Sequence, residues 1–252
     1  MKRFTLLVLL FSVVALFGKN SNEMFTEILS EYVENGNVNY EKLCNDERLK
    51  EYVNKLSQTD PASIESGDAK LAFWINAYNA NTLKVVCDHY PVESIKDLNS
   101  AGVLSNVLNK SIFDKEFIEI NGTQMSLNHI ENEIIRKQFD DPRIHFALVC
   151  AAVSCPPLRA EAYDGENLGE QLDEQARVFF SQKDKNYFEV EEKMAHISKI
   201  LDWYGSDFGN SDKEKLLYIS HFLPEEIAAA IKSNPEEWEI QYTDYNWDLN
   251  DM

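Results

Sequence analysis

The chain of 252 residues carries 24 basic and 43 acidic residues, a net charge of −19, with 44% hydrophobic content. This balance disfavours binding to a phosphate backbone, whose affinity comes mostly from Lys and Arg, while length and apolar content suffice for a globular core. Its four cysteines are too few for a disulfide scaffold, and none forms a Cys-x-x-Cys pair.

At the start of the chain, Lys2 and Arg3 precede an apolar run from Phe4 to Phe17, broken only by Thr5 and Ser12. A signal peptide over residues 1–18 is therefore expected, with Ala15 and Gly18 as small residues for cleavage. The run is shorter than the roughly 20 apolar residues that cross a bilayer, and no nearby cysteine offers a lipid attachment point. Residues 19–252 then read as one exported soluble domain, periplasmic or extracellular, with no stable membrane insertion.

Within that domain, Met24–Glu34 and Glu47–Leu56 have apolar residues at helical spacing and predict an N-terminal helix pair. Leu71–Cys87 is apolar around most of its circumference, as expected of a central buried helix, and His89-Tyr90-Pro91 ends it. Phe113–Ile120 alternates apolar and charged residues before Asn121-Gly122, a strand entering a hairpin. Asn128 and Glu131 have N-cap spacing, with Ile130, Ile134 and Ile135 as the apolar face of a short helix. Arg143–Cys150 suits a buried strand running into the turn Ser154-Cys155-Pro156-Pro157. Leu168–Phe180 predicts a helix, Asn186–Ile197 a hairpin, and Lys213–Ile231 one or two helices broken at Pro224. Strands and helices do not alternate regularly, so the expected class is α+β: a small, mostly antiparallel sheet packed by several helices.

Three motifs stand in order along this chain: Phe73-Trp74-Ile75-Asn76-Ala77-Tyr78-Asn79-Ala80, Asp141–Cys150, and Ser154-Cys155-Pro156-Pro157-Leu158. With Ile130-Glu131 and Arg136, Ile200–Tyr204 with Asp207-Phe208, and the terminal Tyr245–Asn250, they resemble the domain of unknown function 547 family over nearly the whole mature chain. The resemblance implies a fold more than an activity, and it carries no role onto His129.

For chemistry, the residues to examine are Cys155, His145 and Cys150, since a thiol is a useful nucleophile once a base or cation lowers its pKa. On a strand, His145 and Cys150 point to opposite faces. Cys155, on an exposed turn, is the freer thiol and the expected nucleophile, with His145 as base and Asn79 or Asn76 orienting the ring. The bland readings stand beside this one: His145 as a core histidine, Cys150 as a buried small hydrophobe, Cys155 as a structural thiol or bridged to Cys150. Asn76 and Asn79 share a helix face and either cap the protein's own backbone or, with Tyr78, Glu131 and Arg136, line a cleft for a small molecule or peptide. Glu131 and Arg136 are alternatively a structural ion pair. Metal-ligand spacing is lacking and no cofactor is expected. Two functions follow: a thiol-dependent acyl-transfer enzyme of the peptidase, amidase or transglutaminase-like kind, or a non-catalytic binding module. Disulfide exchange ranks below both.

Overall fold

A polar side chain opens several of the helices, and these caps show why they start where they do. In the computed structural model, which describes residues 22–99 and 111–252, Asp46 accepts from the Arg48 amide to start helix Glu47–Gln58. Ser66 accepts from the Ala69 amide to start helix Gly67–Cys87. Satisfying these first-turn donors supplies about 1 kcal/mol per cap. The expected signal peptide lies outside the described residues, and among those described no helix is long and apolar enough to cross a membrane.

The class is α+β. Among the described residues helices dominate, and the strands fall into three small sheets rather than one. Val33–Glu34 pairs antiparallel with Asn37–Val38, and Ile118–Ile120 with Thr123–Met125. In the third sheet Tyr187–Glu189 pairs antiparallel with Met194–Ile197, which pairs parallel with Glu239–Tyr242. Asn121-Gly122 makes its hairpin with positive φ at both residues, as the sequence predicts. At Asn35-Gly36, glycine is required twice over: φ is +86°, and an added Cβ would stand 2.3 Å from Pro157 Cβ.

The Gly67–Cys87 helix is buried along most of its length, so the predicted central helix is present. Around it lies one apolar cluster, including Phe25, Tyr52, Ile75, Leu83 and Ile130. A disulfide from Cys44 to Cys87 ties its C-terminal end to the chain that precedes Glu47–Gln58. The second cluster centres on Phe146, whose ring lies 5.2 Å from Phe179 and 5.6 Å from Phe208. Burying a side chain of that size stabilises by about 1.5–3 kcal/mol. Tyr245 packs against both clusters.

Three local expectations are corrected. Arg143–Cys150 is not a strand: Pro142–Phe146 is a 3₁₀ turn, started by Asp141 accepting from the Arg143 amide, with Pro142 preset at its first position. Phe113–Ile120 is likewise a strand only at Ile118–Ile120, preceded by a 3₁₀ turn at Ile112–Asp114. The Glu131 helix forms, but as a π-helical turn over His129–Ile135. Asn128 does not cap it; Ser126 Oγ accepts from the His129 amide instead.

Candidate functional site

Between the two clusters lies a cavity of about 170 Å³, lined by the thiols of Cys150 and Cys155, His145, Glu131 and the rings of Tyr78, Tyr204 and Tyr245. Its outer wall is formed by Phe113, Trp203 and Trp247. A larger open depression of about 590 Å³ is lined by Glu23, Glu27, Glu170, Glu174 and Arg159 among others, and holds neither thiol nor histidine.

Backbone pairing from the C-terminus sets the thiol turn. Ala152 bridges to Leu249, the Val153 amide donates to Asp248 O, and the Asn250 amide donates to Ala151 O. The terminal motif therefore clamps the segment that follows Cys150, and the same clamp brings Tyr245 to it. Ala151 sits at φ +60°, a left-handed conformation costly for a residue with a Cβ. That bend turns the Ala152 amide back toward the Cys150 sulfur. Strain of this kind persists only where surrounding pairing fixes it, and it gathers at functional sites.

The two thiols differ. Cys150 is partly exposed, whereas Cys155 is buried, so the expectation of an exposed Cys155 is corrected. The cause is the fold of the turn: the Cys150 amide donates to Cys155 Sγ at 2.7 Å, and Lys185 Nζ donates to the Cys155 carbonyl at 2.6 Å. No Cys150–Cys155 bridge forms; the disulfide is Cys44–Cys87. Burial pushes the Cys150 thiol up, but hydrogen bonds from Cys155, the Tyr245 hydroxyl and the Ala152 amide outweigh it, and its pKa falls. Burial pushes the Cys155 thiol well up, and its hydrogen bond to Cys150 adds to that. Tyr245 Oη lies 3.1 Å from Cys150 Sγ, and burial holds its hydroxyl protonated far above the usual tyrosine range, so it is the donor whenever Cys150 is a thiolate.

His145 is buried, its ring stacked 4.1 Å from Tyr204. Nε2–H donates to Asp207 Oδ2 at 2.8 Å, which leaves Nδ1 as the nitrogen turned toward Glu131 Oε1, 3.9 Å away. The His145 bond, opposed by partial burial and helped by Arg136, holds the Asp207 carboxyl far below the usual carboxylate range. Arg136 grips Asp207 with two bonds, at 2.7 and 2.6 Å, and gives a third to Asn132 Oδ1. The expected Glu131–Arg136 ion pair is thus replaced by Arg136–Asp207.

The residues expected from sequence are placed as follows. Cys155, His145, Tyr78 and Glu131 line the cavity together. Arg136 stands behind it, through Asp207. Asn76 and Asn79 do not orient the imidazole. Asn76 makes both its bonds to the Tyr163 backbone, at 2.8 and 2.9 Å. Asn79 donates to Ala147 O and accepts from the Val149 amide, both at 3.0 Å, so it fixes the segment leading to Cys150. Asp207 and Tyr245 carry parts not assigned to them from sequence. In sequence, 62 residues separate Asp207 from His145 and 95 separate Tyr245 from Cys150, and nothing local announces either pairing. Among the described residues no group of three or more His, Cys, Asp or Glu is placed to hold a metal.

Residues 62–180 match the sequence model of the family described as Protein of unknown function, DUF547. Over this segment the chain belongs to the family. No curated protein and no solved structure matches it. The DUF547 match covers the central helix, the π-turn with Glu131 and both cavity thiols, but ends before Asp207 and Tyr245. Part of the hydrogen-bonded frame around the cavity, Asp207 and Tyr245, therefore comes from chain beyond the matched segment.

Proposed function

We propose that this DUF547 protein is a thiol-dependent acyl-transfer enzyme of the peptidase, amidase or transglutaminase-like kind, acting on a small molecule or peptide with Cys150 as nucleophile. The observation that carries the reading is that the thiol of a partly exposed residue, supplied with three hydrogen bonds, shares one cavity with an imidazole whose far nitrogen is held by a carboxylate. In a nucleophile, base and orienter arrangement these are Cys150, His145 and Asp207. The Cys150 sulfur attacks the carbonyl carbon and the thioester bond forms. As the tetrahedral adduct collapses, the bond to the leaving nitrogen or oxygen breaks and that atom takes the thiol proton, passed on by His145 Nδ1; a water or amine then attacks the thioester carbon, and the thiol is regenerated as it leaves. Asn79 is a positioning residue here, acting through the Ala147–Val149 backbone.

The experiment is intact-mass analysis after exposure to a p-nitrophenyl ester. The expected result is one acyl adduct, lost in Cys150→Ala, kept in Cys155→Ala and slowed in His145→Ala. Absence of an adduct on the native protein overturns the reading. A non-catalytic binding module is the second reading, favoured by the wall of Trp203, Tyr245 and Trp247, whose ring centroids lie 4.5 to 5.8 Å apart. We also propose that the protein works after export, in an oxidising compartment. The charged start and short apolar run of the sequence support this, as does the Cys44–Cys87 disulfide.

A further inference from the structure

We propose that the cavity recognises an alkylammonium group, so that the substrate is an amine-bearing molecule or a peptide presenting a lysine-like side chain. This deepens the reading above, which makes the cavity the substrate site. Glu131 is the carboxylate among the described residues that line it, and no Lys or Arg is among them. The side chain of Glu131 is 7% exposed, and a buried carboxylate is costly unless a charge or several donors meet it. Within the protein it meets the Tyr204 hydroxyl and, beyond hydrogen-bond distance at 3.9 Å, His145 Nδ1. Arg136, whose charge also acts on this cluster, has its guanidinium committed to Asp207 and Asn132. Acceptor capacity on Glu131 is thus left for a donor entering from the cavity.

The mouth is suited to the same charge. Trp203 is 47% exposed and stands with Tyr245 and Trp247 as an aromatic wall, whose faces attract a cation through their quadrupoles. That wall already accepts an ammonium from the protein: Lys96 Nζ sits 4.0 Å from the centroid of a Trp247 ring. Size decides how much of the ligand enters. About 170 Å³ is well short of the roughly 300 Å³ of a small drug-sized site, so one side-chain-sized group fits. The overall charge of −19 raises the local concentration of cations near the mouth.

The test is a tryptophan-fluorescence titration of the full protein at neutral pH with n-butylammonium, and with n-butanol as its neutral counterpart. Saturable binding of n-butylammonium, roughly tenfold or more tighter than n-butanol, is expected. Glu131→Gln should remove that preference. Trp203→Ala, a change on the exposed rim that leaves the fold intact by circular dichroism, should weaken n-butylammonium roughly fivefold. Equal affinity for the two probes, or no saturable response to n-butylammonium, overturns the proposal. The two readings fail separately: loss of ammonium preference with the Cys150 acyl adduct retained defeats this inference alone, and the reverse defeats only the acyl-transfer reading.

Discussion

The two asparagines of the central helix and the Glu131–His145–Cys150 wall of the cavity are both polar groups set among apolar neighbours, yet their bonding differs. Asn76 and Asn79 each bond backbone through both the amide nitrogen and the amide oxygen, and neither lines the cavity. On the cavity wall the bonds run inward from Arg136 through Asp207 to His145, and that imidazole shares the cavity lining with Glu131 and Cys150. Buried polarity alone therefore does not mark a site. What separates the two is whether the polar atoms are turned onto the fold's own backbone or line the cavity.

This contrast can be broken first at Asn79. Asn79→Ala strands the Ala147 carbonyl and the Val149 amide, and at about 1–3 kcal/mol for each buried unsatisfied group the expected loss is about 3 kcal/mol. Urea unfolding measures it. A loss below about 1 kcal/mol would mean that the segment finds other partners and that these two bonds do not hold it as described.

Asp207→Asn should cost less, about 2 kcal/mol near neutral pH, because the amide keeps part of the bonding to Arg136 and His145 while losing its charge. Its pH dependence sharpens the comparison. The native carboxyl titrates far below the ordinary aspartate value of about 3.9, so the stability it lends is complete above about pH 4 and is lost as pH falls from there through the native pKa. The difference between native and variant protein should narrow only below about pH 4. A difference that stays constant down to about pH 2 would show that the pairing does not depend on the carboxylate charge.

The smallest effect on stability is expected at Tyr245→Phe, below about 1 kcal/mol for one hydrogen bond at a partly open sulfur. Its effect on chemistry should be larger. With the hydroxyl donor gone, the Cys150 thiol rises and its alkylation at neutral pH slows several-fold. Unchanged alkylation would remove Tyr245 from the account.

Sequence periodicity carried the elements that are long or have a distinctive turn: the Gly67–Cys87 and Leu168–Ser181 helices, the Asn121-Gly122 hairpin and the helices either side of Pro224. It failed at Arg143–Cys150, where a short buried apolar run has no period that separates strand from 3₁₀ turn, and where Asp141-Pro142 was the overlooked start signal. That error moved the thiols. On a strand, Cys150 is an inward hydrophobe, whereas after the left-handed Ala151 it opens onto the cavity and Cys155 folds beneath it. The residue types of the site were legible in His145, Glu131, Tyr78 and the cysteines. Their partners were not, because Asp207 and Tyr245 arrive from distant chain and only the packed fold brings them in.

The central claim is that Cys150, not Cys155, is the reactive thiol. Native protein treated with limiting iodoacetamide near neutral pH, quenched over time and mapped by peptide mass spectrometry, tests it directly. The account predicts carboxamidomethylation at Cys150 well ahead of Cys155, with Cys155 modified only as the protein unfolds. Modification of Cys155 first, or of both thiols at one rate, would contradict it.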